Sequence, residues 1–154
     1  MVAEEVGLAE RAVRTGRNEP QIDSQRGAES MATKMDVRTE EFMLDYLDNA
    51  VIGLHWVDGN AMTLWANKAD YEPLGYTEDE YVGHSITEFH ADPDVIADIL
   101  QRLLSGESLY NYKARLLCKD GSTMSVLIAS SGLFDDDGNF VHTRCFTIKD
   151  PSAA

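Results

Sequence analysis

Histidine and cysteine are the residue types in this chain that could bind a metal ion or form a covalent intermediate. The histidines are His55, His84, His90 and His142. Their spacing lacks the close pair on one helix that zinc sites commonly use. The spacing therefore predicts no metal site, and ordinary polar contacts are the expected role of these rings.

Cys118 and Cys145 are the two cysteines of the chain, too few for a disulfide framework. Both lie in segments with a strand pattern, which favours buried free thiols. A redox pair is the alternative, if the two strands are neighbours. No Ser/His/Asp or Cys/His combination is recognisable from the spacing. The sequence therefore predicts no catalytic residue and no enzyme activity.

Aromatic and acidic side chains offer two further candidates for binding. Trp56 and Trp65 lie in two successive β-rich segments, where packing on a sheet is expected and stacking on a ligand is the alternative. The acidic run Asp135-Asp136-Asp137 precedes a glycine and is expected to form a solvated turn. Neither feature predicts a catalytic site.

A helix over residues 93–105 is the best-defined element of the sequence. Asp92 is its predicted N-cap, Pro93 suits its first position, and Gly106 can adopt the positive φ that ends it. Its apolar residues recur every three or four positions and form one wide stripe. They are Val95, Ile96, Ile99, Leu100, Leu103 and Leu104. Such a stripe needs an apolar surface, which the following strands provide.

Five β-rich segments are separated by turn signals. The segments are residues 51–57, 62–66, 110–118, 123–134 and 140–148. Three Asp-Gly pairs predict hairpins in which both residues can take positive φ, at Asp58-Gly59, Asp120-Gly121 and Asp137-Gly138. Short helical turns precede the long helix, one of them with a capping box of Thr77 and Glu80. The order predicts an α+β fold: a five-stranded antiparallel sheet with short helices and one long helix on one face.

Residues 39–48 form a predicted flanking helix before the first strand. Its apolar face could pack on the sheet of its own domain or on the same helix of a second chain. The residues of that face are Phe42, Met43, Tyr46 and Leu47, the candidate dimer interface. Residues 1–36 are predicted to be a disordered tail, or a mis-annotated start if translation begins at Met31 or Met35. The domain is expected at 37–150, with a short tail at 151–154.

The charge balance excludes some partners. Residues 1–36 carry seven acidic and five basic side chains, so most of the net charge of −14 lies in the domain. Nucleic-acid binding is not expected, because the phosphates would be repelled. No apolar run approaches the roughly 20 residues that span a bilayer. A cytoplasmic protein without a membrane partner is therefore the simplest expectation.

Four local motifs, in this order of elements, resemble the PAS domain, a sensory module of signalling proteins. They are Trp65-Ala66-Asn67-Lys68-Ala69, the segment from Leu74-Gly75-Tyr76 to Gly83, Cys118-Lys119-Asp120-Gly121-Ser122 and the ending Ile148-Lys149-Asp150. The resemblance covers residues 39–150, and the most similar type is the one found upstream of bacterial and archaeal sensor histidine kinases. A kinase would continue into a phosphoacceptor segment and an ATP-binding domain. Either any output is expected to pass through a separate partner, or the chain is a fragment or a freestanding module.

The resemblance implies a site between the sheet and the helices, where PAS domains can hold haem, flavin or small metabolites. Haem is not expected, because residues 93–105 contain no histidine; His90 is the alternative ligand, against a surface or capping role. A covalent flavin adduct is excluded, because residues 84–89 contain no cysteine. The candidate pocket residues, which could instead fill the core completely, are Ile96, Leu100, Leu116, Ile128, Phe146 and Ile148.

Two functions follow from the resemblance. The first is a sensory module that binds a small ligand or a protein partner and relays a conformational change to a separate output protein, such as a histidine kinase. The alternative is a ligand-free dimerisation or protein-interaction domain. In both cases a homodimer is expected.

Overall fold

The computed structural model describes residues 39–153. The predicted tail over residues 1–36 lies outside them. The helices are α1 (Glu40–Asp48), α2 (Lys68–Tyr71), α3 (Glu78–Tyr81) and α4 (Pro93–Leu104), with 3₁₀ turns at Glu72–Leu74 and Ile86–Phe89. The strands are β1 (Gly53–Val57), β2 (Thr63–Ala66), β3 (Leu109–Leu117), β4 (Thr123–Phe134) and β5 (Phe140–Lys149).

The strands form one antiparallel sheet in the order β2-β1-β5-β4-β3. The last strand therefore lies at the centre, paired with the first strand on one side and with β4 on the other. The helical segment connects β2 at one edge to β3 at the opposite edge and so crosses one face of the sheet. The predicted α+β fold with a five-stranded antiparallel sheet is confirmed.

The helix α4 lies on β3 and β4. Its stripe buries Ile96, Ile99 and Leu103, and Gly106 ends the helix with φ +90°. Asp92 occupies the predicted N-cap position, but its carboxylate makes no capping hydrogen bond. It accepts instead from the guanidinium of Arg115 on β3, whose Nε lies 2.8 Å from Oδ2. The two oxygens of a carboxylate match the fork of an arginine better than a single backbone N–H.

The connection between β1 and β2 differs from the predicted tight hairpin. The Asp58 side chain accepts from the backbone N–H groups of Asn60 and Met62, which builds a longer loop. Ala61 takes the positive φ in this loop, at +65°. The other two predicted hairpins are present, but only the glycine of each pair has a positive φ, Gly121 at +87° and Gly138 at +83°.

The central strand β5 turns its larger apolar residues away from the helices. Phe146 is 47% exposed and Ile148 41% exposed, whereas Thr143, Cys145 and Thr147 are buried between sheet and helices. The assignment of Phe146 and Ile148 to the inner wall is therefore wrong. The predicted alternation of buried and exposed residues is present, but the buried set is the one that contains threonine and cysteine.

The helix α1 buries none of its residues. Thr39 caps it by accepting from the backbone N–H of Phe42 at 3.3 Å. The exposed apolar residues of this helix are Phe42, Met43, Leu44 and Tyr46. Across residues 39–153, the longest apolar helices fall short of what a membrane span requires.

Candidate functional site

A row of polar side chains crosses the helix-facing side of the sheet. His55 on β1 lies directly opposite Cys145 on β5, and Cys145 lies directly opposite Ser130 on β4. Side chains paired in this way share a face, with Cβ atoms about 4.5–5.5 Å apart. All three are buried, and Cys145 Sγ lies 2.8 Å from Ser130 Oγ. The sheet thus places a thiol beside an imidazole in the core.

The helix α2 supplies a carboxylate to this row. His55 Nδ1 lies 3.0 Å from Asp70 Oδ2, and both side chains are buried. Burial by itself lowers the pKa of His55, but Asp70 and then Cys145 raise it, and the net pKa lies well above 6.5. Asp70 therefore favours the protonated ring, which donates from Nδ1 to this carboxylate. The pair resembles the base and orienting acid of a nucleophilic triad.

A close backbone approach makes room for Asp70. A Cβ atom at Gly53 would collide with Asp70 Oδ1, so only glycine fits opposite this carboxylate. That oxygen is itself buried and accepts no hydrogen bond. One half of the carboxylate is thus committed to His55 while the other half keeps its hydrogen-bonding capacity.

The second buried ring is His90, which follows the 3₁₀ turn Ile86–Phe89. It is 8% exposed, and its Nδ1 has no hydrogen-bond partner. Burial first, and then the charge of His55, lower its pKa from 6.5 to about 4. The ring is therefore neutral at pH 7. The expected surface or capping role of His90 is wrong, because the short bridge between His90 and Leu116 draws it under the helices.

A cavity lies between these two rings. Its volume is about 20 Å³, slightly more than one water molecule requires. Its polar lining residues are His55, Tyr81, His90, Thr143, Cys145 and Thr147. The other lining residues are apolar.

Four of the six predicted pocket residues line this cavity: Ile96, Leu100, Leu116 and Ile128. Their position under the helices matches the expectation, and their role in ligand binding stays a prediction. Phe146 and Ile148 lie on the opposite face and do not belong to the cavity. The small volume also means that side chains fill most of the space.

The spacing of residues in the sequence did not predict the thiol–imidazole–carboxylate row. His55, Asp70 and Cys145 are separated by 15 and 75 positions, and only the pairing of the first strand with the last brings them together. Cys118 and Cys145 are not neighbours, because β4 separates their strands. Within residues 39–153, no three His, Cys, Asp or Glu side chains are arranged as metal ligands.

A buried asparagine connects this region to the flanking helix. Asn67, fully buried between β2 and α2, accepts from the backbone N–H of Leu54 at 2.9 Å. Its Nδ2 donates to the carbonyl oxygens of Ile52 at 3.0 Å and Leu47 at 2.9 Å. Leu47 belongs to the last turn of α1. One side chain therefore fixes the end of α1 to the first strand, three residues before Asp70.

The outer face of the sheet carries a second feature, which we call the outer groove. It has a volume of about 470 Å³ and is lined mainly by Leu47, Leu54, Trp56, Trp65 and Phe146. The two tryptophan rings have centroids 5.0 Å apart, so the expected packing on the sheet is observed. Of the candidate dimer residues, Leu47 lines the groove, while Phe42, Met43 and Tyr46 lie exposed on α1.

Comparisons with known proteins agree with this architecture. The PAS domain of an HTR-like protein from Haloarcula marismortui is 19% identical, with a TM-score of 0.58, over 82% of this chain and 98% of that one. A domain of a sensory box sensor histidine kinase/response regulator from Geobacter sulfurreducens is 20% identical, with a TM-score of 0.57, over 74% and 99%. A LOV protein from Rhodobacter sphaeroides is 16% identical, with a TM-score of 0.60, over 71% and 66%.

No curated protein matches the sequence. The family model described as PAS domain matches residues 48–152, more than half of the chain. The match includes all five strands and the helices between them. The chain therefore belongs to the PAS domain family and contains a sensory signalling module.

Proposed function

We propose that the buried polar row is the input site of this module and that α1 carries its response to a separate output protein. The single observation behind this proposal is the connection through α2. Asp70 holds His55 in the cavity wall, and Asn67, one turn earlier, holds the last turn of α1. A small ligand or reagent that shifts Asp70 would therefore move the segment that anchors α1.

The energetics of this connection favour a discrete response. Asn67 satisfies three backbone groups, one buried and two partly buried, and a buried group left unpaired would cost about 1–3 kcal/mol. The anchor is consequently made or broken as a unit. By contrast, α1 has no buried residue of its own to hold it in place. The input needs to supply only enough free energy to disturb the anchor, not to unfold the domain.

Hydrogen exchange of the backbone amides tests this proposal. Asp70→Asn removes the charge that holds His55, and faster exchange is expected at Asn49 and Ala50, whose amides close the end of α1. Val126→Ala is the matched control, since Val126 is buried in the core but does not line the cavity. Equal exchange at α1 in wild type, variant and control would contradict the relay.

The output partner that we propose is a histidine kinase, in the cytoplasm. The support is the resemblance to kinase-associated PAS domains and the Geobacter sulfurreducens structure, whose title describes a sensor histidine kinase/response regulator. Autophosphorylation of a candidate kinase should change when this protein is added. It should not change when Asn67→Ala is added instead, because that variant lacks the anchor of α1.

A second function, ligand-free dimerisation, is supported by the exposed apolar surface of α1. Four of its apolar residues are 44–66% exposed: Phe42, Met43, Leu44 and Tyr46. The outer groove lies beside the same helix. Contiguous apolar surface of this kind commonly marks a protein interface. Burial against a second copy would cover both the helix and the groove.

Sedimentation and native mass spectrometry separate the two functions. A homodimer that Leu47→Asp converts to a monomer supports the interface, and Tyr110→Asp serves as control because Tyr110 is an 80% exposed residue on the far edge strand. A small molecule retained in the native mass spectrum supports the sensory function. A monomer at all concentrations would refute dimerisation through α1.

A further inference from the structure

The arrangement around Cys145 has the parts of an activated thiol. A thiol, an imidazole and a carboxylate that orients the imidazole occur in sequence along the row: Cys145, His55 and Asp70. Cys145 lies directly opposite His55 on the paired strand, so the sulfur and the ring share one face of the sheet. The hydrogen bond to Ser130 fixes the thiol on its other side.

Both buried histidines line the cavity beside this thiol. His90 is 8% exposed, and its Nδ1 has no hydrogen-bond partner. A neutral imidazole nitrogen without a partner is costly in a core unless something occasionally binds to it. The volume of about 20 Å³ restricts that partner to a molecule near the size of water.

Size and chemistry together select the reagent. The molecule has to fit a water-sized space, hydrogen-bond to an imidazole nitrogen and react with a thiol. Hydrogen peroxide is the small oxidant that meets all three conditions. We propose that Cys145 is a modification site for hydrogen peroxide, which oxidises its thiol to a sulfenic acid in the cavity between His55 and His90.

The reaction balances with the groups present. The sulfur attacks one peroxide oxygen, so the S–O bond forms while the O–O bond breaks. The leaving hydroxide takes a proton from the imidazolium of His55 and departs as water, and the thiol proton restores the ring. Sulfur loses two electrons and the peroxide gains them. Asp70 keeps the ring oriented throughout and neutralises its charge.

This inference names a stimulus for the input site proposed above, so its signalling consequence rests on that proposal. The chemistry at Cys145 can be measured without it. An adduct on Cys145 with unchanged hydrogen exchange at α1 would refute the relay and leave the inference intact. If hydrogen exchange at α1 responds to Asp70→Asn while Cys145 stays unreacted, the inference is refuted and the relay is supported.

The two cysteines of the chain provide the central comparison. The folded protein is exposed to hydrogen peroxide at pH 7, catalase removes the excess, and the chain is unfolded in urea containing dimedone, which traps sulfenic acids. Mass spectrometry of the digest then quantifies both cysteines. Cys145 is expected to react at least about tenfold faster than Cys118, although Cys118 is the more exposed thiol. Equal or faster oxidation of Cys118 overturns the proposal.

Variants and a bulky reagent sharpen the test. His55→Gln should slow the oxidation of Cys145 about a hundredfold, as expected for loss of a proton donor. His142→Gln, which removes an imidazole that stacks on Trp56, should leave the rate unchanged. N-ethylmaleimide should label Cys118 and spare Cys145, because the cavity excludes it. If His55→Gln does not fold, the comparison of the two cysteines in wild type still tests the proposal. The faster oxidation of Cys145 must then disappear when the wild-type chain is oxidised in urea.

Discussion

Replacing His90 by glutamine should remove an acid sensitivity that burial imposes on this fold. The folded protein holds the pKa of this ring at about 4, against 6.5 for an unperturbed histidine. Between these pH values, the unfolded chain binds a proton that the folded chain does not. The free energy of unfolding therefore falls as the pH falls. Glutamine keeps a polar side chain at the site but has no proton to gain.

The magnitude follows from the two pKa values. The complete effect is about 3 kcal/mol, reached below the folded pKa, and about 2 kcal/mol of it develops between pH 7 and pH 5. His55 acts in the opposite sense: its raised pKa stabilises the fold below about pH 6.5, and this contribution is lost as the pH rises through the folded pKa. A comparison of wild type with His90→Gln cancels the His55 contribution to first order.

Urea unfolding, followed by tryptophan fluorescence at pH 7 and pH 5 and constant ionic strength, gives the required free energies. The loss of stability on going to pH 5 should be about 2 kcal/mol smaller in His90→Gln than in wild type. His84→Gln controls for the removal of one histidine, since the His84 ring is half exposed and lies outside the core. Parallel losses in wild type and His90→Gln would refute the reasoning, because His90 would then ionise as easily folded as unfolded.

Three further substitutions test the packing around the site. Gly53→Ala should destabilise the fold by about 1–3 kcal/mol in urea unfolding, because the new methyl group collides with Asp70; retention of full stability would show that α2 can move away. Asn67→Ala should cost about 2–5 kcal/mol by the same measurement, and an undiminished midpoint would mean that water replaces all three hydrogen bonds. Leu103→Ala should cost about 2–5 kcal/mol in thermal or urea unfolding, while Leu104→Ala, at 46% exposure, should stay within about 0.5 kcal/mol; similar losses at both would contradict the assigned face of α4.

The elements that local sequence determines were predictable. The stripe of α4, the glycine at its end and the alternation of the strands depend on neighbours a few positions apart, and all of them are present in the structure. These local patterns, together with the order of elements, were sufficient to indicate the family. Ile96 and Leu100 of α4 line the cavity, and their role in ligand binding stays a prediction.

The predictions that failed are those that depend on which strands pair. A strand that alternates does not reveal which of its two faces is buried when one phase is Thr-Cys-Thr and the other contains Phe146 and Ile148. The partnership of His55 with Cys145 likewise exists only because β1 pairs with β5. Asp92 shows the same limit at the start of α4, where its carboxylate binds Arg115 of β3 instead of a backbone N–H of the helix.

The contact between Trp56 and Trp65 has a practical consequence. These are the two tryptophans of the chain, and both line the outer groove beside the end of α1. Any optical signal that the indoles give on excitation near 295 nm therefore originates from a single place in the molecule. A change in the wavelength or intensity of this intrinsic fluorescence therefore reports an event at the junction of α1 and the sheet, and no dye has to be attached.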